Sequence, residues 1–175
     1  MKICSLIAFS TALALATTVH AQGLSAPEKV FVEKAAKGNL AEVELGRLAS
    51  QKASDSQVKA FGDQMVTDHS KANDDLKPIA DGGGVQWPTK LTGESKLLQD
   101  RLSKLSGAAF DKAYVRAMAE DHQKDAKEYQ MQSSKVKDAK LKAYVDQTLP
   151  IVQQHLSHIQ QIQHSGRPVS TPKSS

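Results

Sequence analysis

The sequence predicts an all-α protein, a four-helix bundle in which one long crossover joins the second and third helices. Long segments repeat apolar residues at intervals of three and four, which is the helical period. No segment alternates with period two, so strands are not expected. A short phrase also occurs twice, fifty-three residues apart, as MVTDHSK from Met65 and as MAEDHQK from Met118. Each copy lies within a helical segment, which predicts two related helical hairpins packed on each other.

Residues 1–21 are predicted to be a secretory signal peptide. Lys2 carries the one positive charge, a mostly apolar run extends from Ile3 to Val19, and a Val-x-Ala ending favours cleavage after Ala21. The run is short and contains five Ser and Thr residues, so a membrane anchor is not favoured. We therefore expect a periplasmic or secreted protein with no membrane span after cleavage.

The composition after residue 21 excludes several classes of function. The single cysteine, Cys4, lies in the predicted signal peptide, so thiol catalysis, disulfides and cysteine metal sites are excluded. About 150 residues are enough for one buried core. The formal net charge of +4 falls to +3 without Lys2, and lysines and acidic residues are interspersed. Nucleic acid is therefore not an expected partner.

The first hairpin is predicted from its helix boundaries. The first helix begins at Ala26-Pro27, because proline is tolerated in the first turn. The second begins at Ser54, where the sequence SDSQ fits a capping box. Pro78 and the glycines at 82–84 are expected to end it.

The second hairpin follows a crossover over about residues 81–106. The crossover contains Trp87, expected to cover an end of the core, and a short helix over 94–105. The third helix is predicted over 107–133, and the fourth begins near Asp138 with a kink at Pro150. One long crossover and two tight links are the ferritin-like connectivity. We predict one domain over residues 22–164 and a disordered tail over 165–175.

Each predicted helix of the bundle places one metal-capable side chain on its apolar side. These residues are Glu42, His69, His122 and His155. At ~1.5 Å per residue from the hairpin turns, the first three lie at matching depth and His155 lies roughly one turn away. Whether the kink at Pro150 corrects this offset stays open. Buried polar groups need partners, because burying an unpaired carboxylate costs several kcal/mol.

Two interpretations of these four residues stay open. One is a metal site of one carboxylate and three imidazoles, which suits Zn, Fe, Cu or Ni rather than Mg or Ca. Asp125, three residues after His122, would then accept a hydrogen bond behind a ligand. The other is a buried polar network, including an ion pair between Glu42 and a protonated histidine. Asp68 and Asp121 point about 100° away from the apolar side, toward a neighbouring helix or solvent. A solvated charged edge is favoured for them over pairing with Lys71 and Lys124.

The chain resembles the exported bacterial family known as domain of unknown function 4142. The matching segments are AEVELGRLA at 41–49, the phrase at 65–73, SGAAFDKAYV at 106–115 leading to Asp121-His122, and TLP at 148–150 leading to His155-Leu156. The resemblance implies a ferritin-like bundle behind a signal peptide and no established reaction. The positions three before the histidines are Val66, Ala119 and Val152. Ferritin-like di-iron sites have glutamate there, so such a centre is not expected.

Three functions are compatible with these features. The sequence favours a non-enzymatic envelope protein, related to stress tolerance, that binds a transition metal or a protein partner. A metal-dependent oxidoreductase with Glu42 and the histidines as ligands is the first alternative. The second is a structural bundle in which buried polar groups only set the helix register.

Overall fold

The computed structural model describes residues 23–91 and 93–165. Within them the chain forms only helices, which confirms the all-α prediction: α1 (Ala26–Lys52), α2 (Ser56–Gly83), α3 (Gly93–Ser103), α4 (Gly107–Lys135) and α5 (Ala139–Ser165). The four long helices form the bundle, and α3 lies in the crossover. The predicted signal peptide and residues 166–175 of the predicted tail lie outside the described residues. None of the five helices is both long enough and apolar enough to cross a membrane.

The bundle consists of two hairpins. α1 packs along α2, α4 packs along α5, and contacts between α2 and α5 join the two pairs. The repeated phrase lies on α2 and α4, which are the second helix of one hairpin and the first helix of the other. Duplication of a hairpin would instead relate α2 to α5. The repeat therefore does not reflect two copies of one hairpin.

Two predicted boundaries of α2 need correction. The residue that caps its start is Asp55 rather than Ser54, because the Asp55 carboxylate accepts hydrogen bonds from the first free backbone amides of the helix. Pro78 does not end the helix. Its ring is solvent-exposed, so water can hydrate the carbonyl that loses its partner. The helix ends at Gly83, followed by Gly84 with a φ of 67°.

Each hairpin turn is held by a carboxylate of the other hairpin. Glu28 of α1 accepts hydrogen bonds from the backbone amides of residues 137 and 138, at 2.8 and 3.0 Å. Asp111 of α4 accepts hydrogen bonds from the backbone amides of residues 54 and 55, both at 3.0 Å. Burial opposes the charge of Glu28, but these amides and the Ser25 hydroxyl lower its pKa to about 2. These reciprocal bonds fix the axial position of one hairpin against the other.

The core consists of two apolar clusters with a polar layer between them. The first cluster surrounds Phe31, Leu76 and Tyr129, near the α4–α5 turn, and Trp87 packs half-buried against it. The second cluster surrounds Phe61, Met65, Phe110 and Tyr114, near the α1–α2 turn. Along every long helix, a buried polar residue separates the members of one cluster from those of the other. These residues are Asn39, Glu42, His69, His122 and His155.

Candidate metal centre

Three imidazoles from three helices meet in the polar layer. His69 lies on α2, His122 on α4 and His155 on α5, and each is at most 4% exposed. One nitrogen of each ring lies within 4.8 Å of its counterparts in the other two rings. The ring centroids are 5.4 to 5.8 Å apart. The helical period of the apolar residues on either side turns each histidine toward the core, so the three rings face one another.

One nitrogen of each imidazole is held by an oxygen behind the ring. These contacts, 2.8 to 3.0 Å long, join His69 Nδ1 to Asn39 Oδ1, His122 Nδ1 to the Met118 carbonyl and His155 Nε2 to Asp68 Oδ2. Each oxygen accepts a hydrogen bond from an N–H of its ring, because a carbonyl or carboxylate cannot donate one. The bonds therefore fix the tautomers and leave a lone pair on the other nitrogen. Those nitrogens are buried and have no hydrogen-bond partner in the described part of the chain.

Burial keeps the three imidazoles neutral. It lowers the pKa of His69 well below the usual 6.5, and His122 and His155 lower it further. Burial lowers the pKa of His122 to about 4. It also lowers the pKa of His155, although Asp68 opposes that shift. A neutral imidazole with a free lone pair is the form of histidine that binds a metal ion.

The fourth predicted ligand, Glu42, lies beside the three histidines and outside the group of converging nitrogens. It is fully buried, and neither carboxyl oxygen has a hydrogen-bond partner among the described residues. Its Oε1 lies 3.9 Å from His122 Nδ1, the nitrogen already bonded to the Met118 carbonyl. Burial raises the pKa of Glu42 well above 4.5, and Asp121 and Asp125 raise it further. Both members of this contact thus favour their neutral forms, which argues against a buried ion pair.

Asp68 has a different role from the one predicted. It was expected on a solvated charged edge, but it reaches across to α5 and accepts the hydrogen bond of His155. Its side chain is 32% exposed. Asp121, the equivalent residue of the second phrase, is half-buried and raises the pKa of Glu42. In each Asp-His dipeptide the histidine therefore belongs to the polar layer, and the aspartate lies at the edge of that layer.

Asp125 does not occupy the position predicted for it. It was expected to accept a hydrogen bond behind a ligand, but the N–H of each of the three rings bonds to another oxygen. Asp125 instead lines a small cavity, of about 20 Å³, that lies between α1 and α4 and has His69 in its wall. Burial raises the pKa of Asp125 to about 7, and Asp121 adds to the shift. A cavity of this volume has room for about one water molecule.

The depth predicted for His155 was also one turn off. Its ring lies with the other two, because the real offset between α4 and α5 depends on the turn that joins them rather than on a residue count. Sequence reasoning missed Asn39, which bonds to His69 and to the Tyr144 hydroxyl. Asn39 lies three residues before Glu42 on the same inward side of α1. That position could have indicated that Asn39 is buried beside the candidate site.

The residues present fit a transition-metal ion. A self-sufficient polar network would pair its buried donors and acceptors with one another. Here three imidazole nitrogens and both oxygens of Glu42 have no partner in the described part of the chain. The bonds behind the rings orient them as the outer partners of metal-binding histidines do. Three nitrogen donors without thiolate suit the borderline metals, copper and zinc among them.

The family comparison gives a clear result. Residues 14–162 match the model of a domain of unknown function, DUF4142. The chain belongs to the DUF4142 family. No curated protein matches it significantly.

Solved structures with the same fold are distant in sequence. CopM in the Cu(I)-bound form is 14% identical, with a TM-score of 0.68 over 80% of this chain and 97% of CopM. A DUF305 fragment from Deinococcus radiodurans is 10% identical, with a TM-score of 0.72 over 82% of this chain and 99% of the fragment. A two-domain protein from Anabaena variabilis, with DJ-1/ThiJ/PfpI-like and ferritin-like domains, is 15% identical, with a TM-score of 0.60 over 87% of this chain and 41% of that protein. These similarities show the shared helical fold.

Proposed function

We propose that this DUF4142 protein binds one transition-metal ion through His69, His122 and His155, and that Cu(I) is the ion that the site favours. The observation that carries the proposal is the set of three unpartnered, buried imidazole nitrogens, each on a ring whose other nitrogen is held from behind. The lone pairs are available at neutral pH, because burial lowers the pKa of all three rings.

The charge of the site favours a monovalent ion. The three ligands are neutral, and apolar clusters lie on both sides of the polar layer. The cost of placing an ion in such surroundings rises steeply with its charge. A divalent ion would require Glu42 to lose its proton as well, against a raised pKa. The fold shared with CopM, a protein solved with Cu(I), supports this choice.

In this proposal Glu42 is the fourth group of the centre. Its carboxyl lies next to His122 and within the influence of Asp121 and Asp125, and neither of its oxygens is within hydrogen-bond distance of a described partner. With Cu(I) it stays protonated and the three imidazoles suffice. With Zn(II) or another divalent ion it ionises and balances part of the charge, so divalent binding should be weaker and should increase with pH.

The physiological role follows from the predicted export of the chain. A protein that leaves the cytoplasm and holds a metal ion in a closed centre is suited to sequestering or carrying that ion in the envelope. The cavity next to His69 has room for about one water molecule, which does not favour an enzyme acting on an organic substrate. We therefore propose metal binding without catalysis.

The test is an anaerobic titration of the untagged protein with Cu(I) in competition with a chromogenic chelator. We expect one ion per chain. His69→Ala and His122→Ala should each weaken binding by more than about 100-fold, since even the groups behind a ligand are worth 10–100-fold. His164→Ala is the matched control, because His164 is exposed and its ring bonds, within the part of the chain that the structure describes, only to the backbone of its own helix.

Circular dichroism keeps this test interpretable, because it shows whether each variant remains helical. Folded His69→Ala and His122→Ala proteins that bind Cu(I) as tightly as the His164→Ala control would overturn the proposal. A wild-type protein that binds no Cu(I), and whose melting temperature does not change with the ion, would overturn it as well.

A further inference from the structure

The cavity between α1 and α4 leads toward the histidines from the protein surface. Its inner wall includes His69, whose Nε2 is buried and unpartnered within the described residues. Its outer wall includes Lys34 and Glu128, which form an ion pair of 3.1 Å with side chains 62% and 23% exposed. Asp125 also lines the cavity, and its burial is intermediate between that of His69 and that of Lys34.

The position of this cavity follows from the way the helices pack. α1 and α4 make few direct contacts, whereas α1 packs closely on α2 and α4 on α5. Between α1 and α2 the backbones approach so closely that a Cβ on Gly62 would lie 2.8 Å from the Gly46 carbonyl oxygen. Between α2 and α5 the contact of His155 with Asp68 spans the interface. The face between α1 and α4 is therefore the loosest lateral face of the bundle. It is also the face that carries the carboxylates of Asp125 and Glu128.

We propose that this cavity is the access site for the metal ion, where the Asp125 carboxylate binds the cation before it passes to His69 and the other two histidines. This inference rests on the metal-binding function proposed above and adds the route and a transient ligand. The nearby Lys34 pairs with Glu128 rather than with Asp125, so the Asp125 carboxylate is available to a cation.

The size and charge of the cavity agree with this role. A volume of about 20 Å³ admits about one water molecule, so a fully hydrated ion does not fit. The ion must exchange most of its water for protein ligands, and a carboxylate offsets that loss of hydration. Opening the Lys34–Glu128 pair costs little, because exposed pairs are worth about 0–1 kcal/mol.

Two substitutions test the route without touching a histidine. Gly38 lines the cavity, and a Cβ there would meet no atom within 4 Å, so Gly38→Leu adds bulk where there is space. Asp125→Asn removes the ionisable carboxyl with almost no change in shape. Ala143→Leu is the control, because it adds the same kind of side chain in an open groove between α2 and α5 that is not lined by the three histidines.

The experiment measures the rate and the equilibrium of Cu(I) uptake by stopped-flow transfer from a chromogenic complex. We expect Gly38→Leu and Asp125→Asn to load at least about tenfold more slowly than the wild type, with a dissociation constant within about threefold of it. Ala143→Leu should match the wild type in both. Release to excess chelator should slow by the same factor as uptake, since a route changes both rates equally.

The outcomes separate the route from the site. If the wild type loads through its histidines but both cavity variants load at the wild-type rate, the access site is refuted and the metal-binding function stands. If Asp125→Asn weakens the equilibrium affinity strongly without a change in the uptake rate, Asp125 belongs to the final centre and the access site is refuted too. If the wild type does not load, the proposed function itself fails.

Discussion

The carboxylate of Glu28 should contribute a large part of the stability of the bundle. It accepts hydrogen bonds from the Ser25 amide at 2.8 Å and the Ser25 hydroxyl at 2.7 Å, in addition to those from the backbone amides of residues 137 and 138. We expect Glu28→Gln to lower the free energy of unfolding, because glutamine keeps the shape but loses the charge that strengthens these bonds.

The magnitude follows from the pKa of Glu28. Its value is about 2 in the folded protein, against 4.5 for an unperturbed glutamate. At 1.36 kcal/mol per pKa unit, this difference corresponds to at most about 3 kcal/mol at pH 7. Solvent screening at the end of the bundle reduces it to about 2 kcal/mol. In a domain of this size that loss lowers the melting temperature by roughly 4–8 °C.

The pH dependence gives a second measurement of the same effect. A lowered folded pKa stabilises the protein above the unfolded pKa of 4.5, and this contribution is lost as the pH falls toward 2. The buried histidines also destabilise the fold in acid, but they do so equally in both proteins. The gap in unfolding free energy between wild type and Glu28→Gln should therefore be constant above about pH 5 and should narrow below it.

Urea unfolding followed by circular dichroism, at pH 7 and at steps down to pH 4, measures this gap. The matched control is Glu33→Gln on the same helix, since Glu33 is exposed and Lys37 is its one ion-pair partner among residues 23–91 and 93–165. The control should change the free energy of unfolding by less than about 1 kcal/mol. Equal losses in the two variants, or a Glu28→Gln gap that does not depend on pH, would refute the reasoning.

Three further predictions concern the helix interface and the metal centre. Gly62→Ala should destabilise the protein by about 1–3 kcal/mol in urea unfolding, because the new Cβ would overlap the α1 backbone. The control is Gly38→Ala, where a Cβ meets no atom within 4 Å. This variant should instead be more stable than the wild type by about 0.5–1 kcal/mol. Asp68→Asn should weaken Cu(I) binding by about 10–100-fold in the chelator competition, since it removes the charge behind His155; an unchanged affinity would contradict this role. Glu42→Gln should bind Cu(I) as well as the wild type and should be more stable than it in the metal-free state as the pH rises above 4.5. Because the pKa of Glu42 is raised above 4.5 in the folded protein, the unfolded chain gives up this proton at a lower pH than the folded chain does, so the wild type loses stability relative to the variant as the pH rises. A stability difference between the two proteins that is the same at pH 5 and pH 8 would contradict this prediction.

The helical pattern made the fold and the inward direction of the site residues predictable. An apolar stripe at intervals of three and four fixes the angle of each side chain around its own helix axis. That angle turned Glu42, His69, His122 and His155 to the core, and all four are buried. The same angles did not predict that Asp68 contacts His155. A side chain that lies 100° away from the apolar stripe can face solvent or can reach a neighbouring helix across a close interface.

Axial positions were harder to predict than angles. A count of ~1.5 Å per residue from each turn placed His155 one turn away from the other histidines, yet the rings meet. The relative height of two helices depends on how the turns are anchored, and here Glu28 and Asp111 anchor them across the hairpins. Hydrogen bonds between residues more than fifty positions apart cannot be recognised from the local spacing of apolar residues in the sequence.

The sequence by itself determined that this chain forms a helical bundle and that its interior contains three histidines and a glutamate. Only the tertiary structure decided which ring nitrogens are free, since that depends on Asn39, the Met118 carbonyl and Asp68 being placed behind the rings. The physical reason is that periodicity describes one helix at a time. A metal centre is built from the offsets between helices and from the rotation of each side chain, and close packing of the whole bundle sets both.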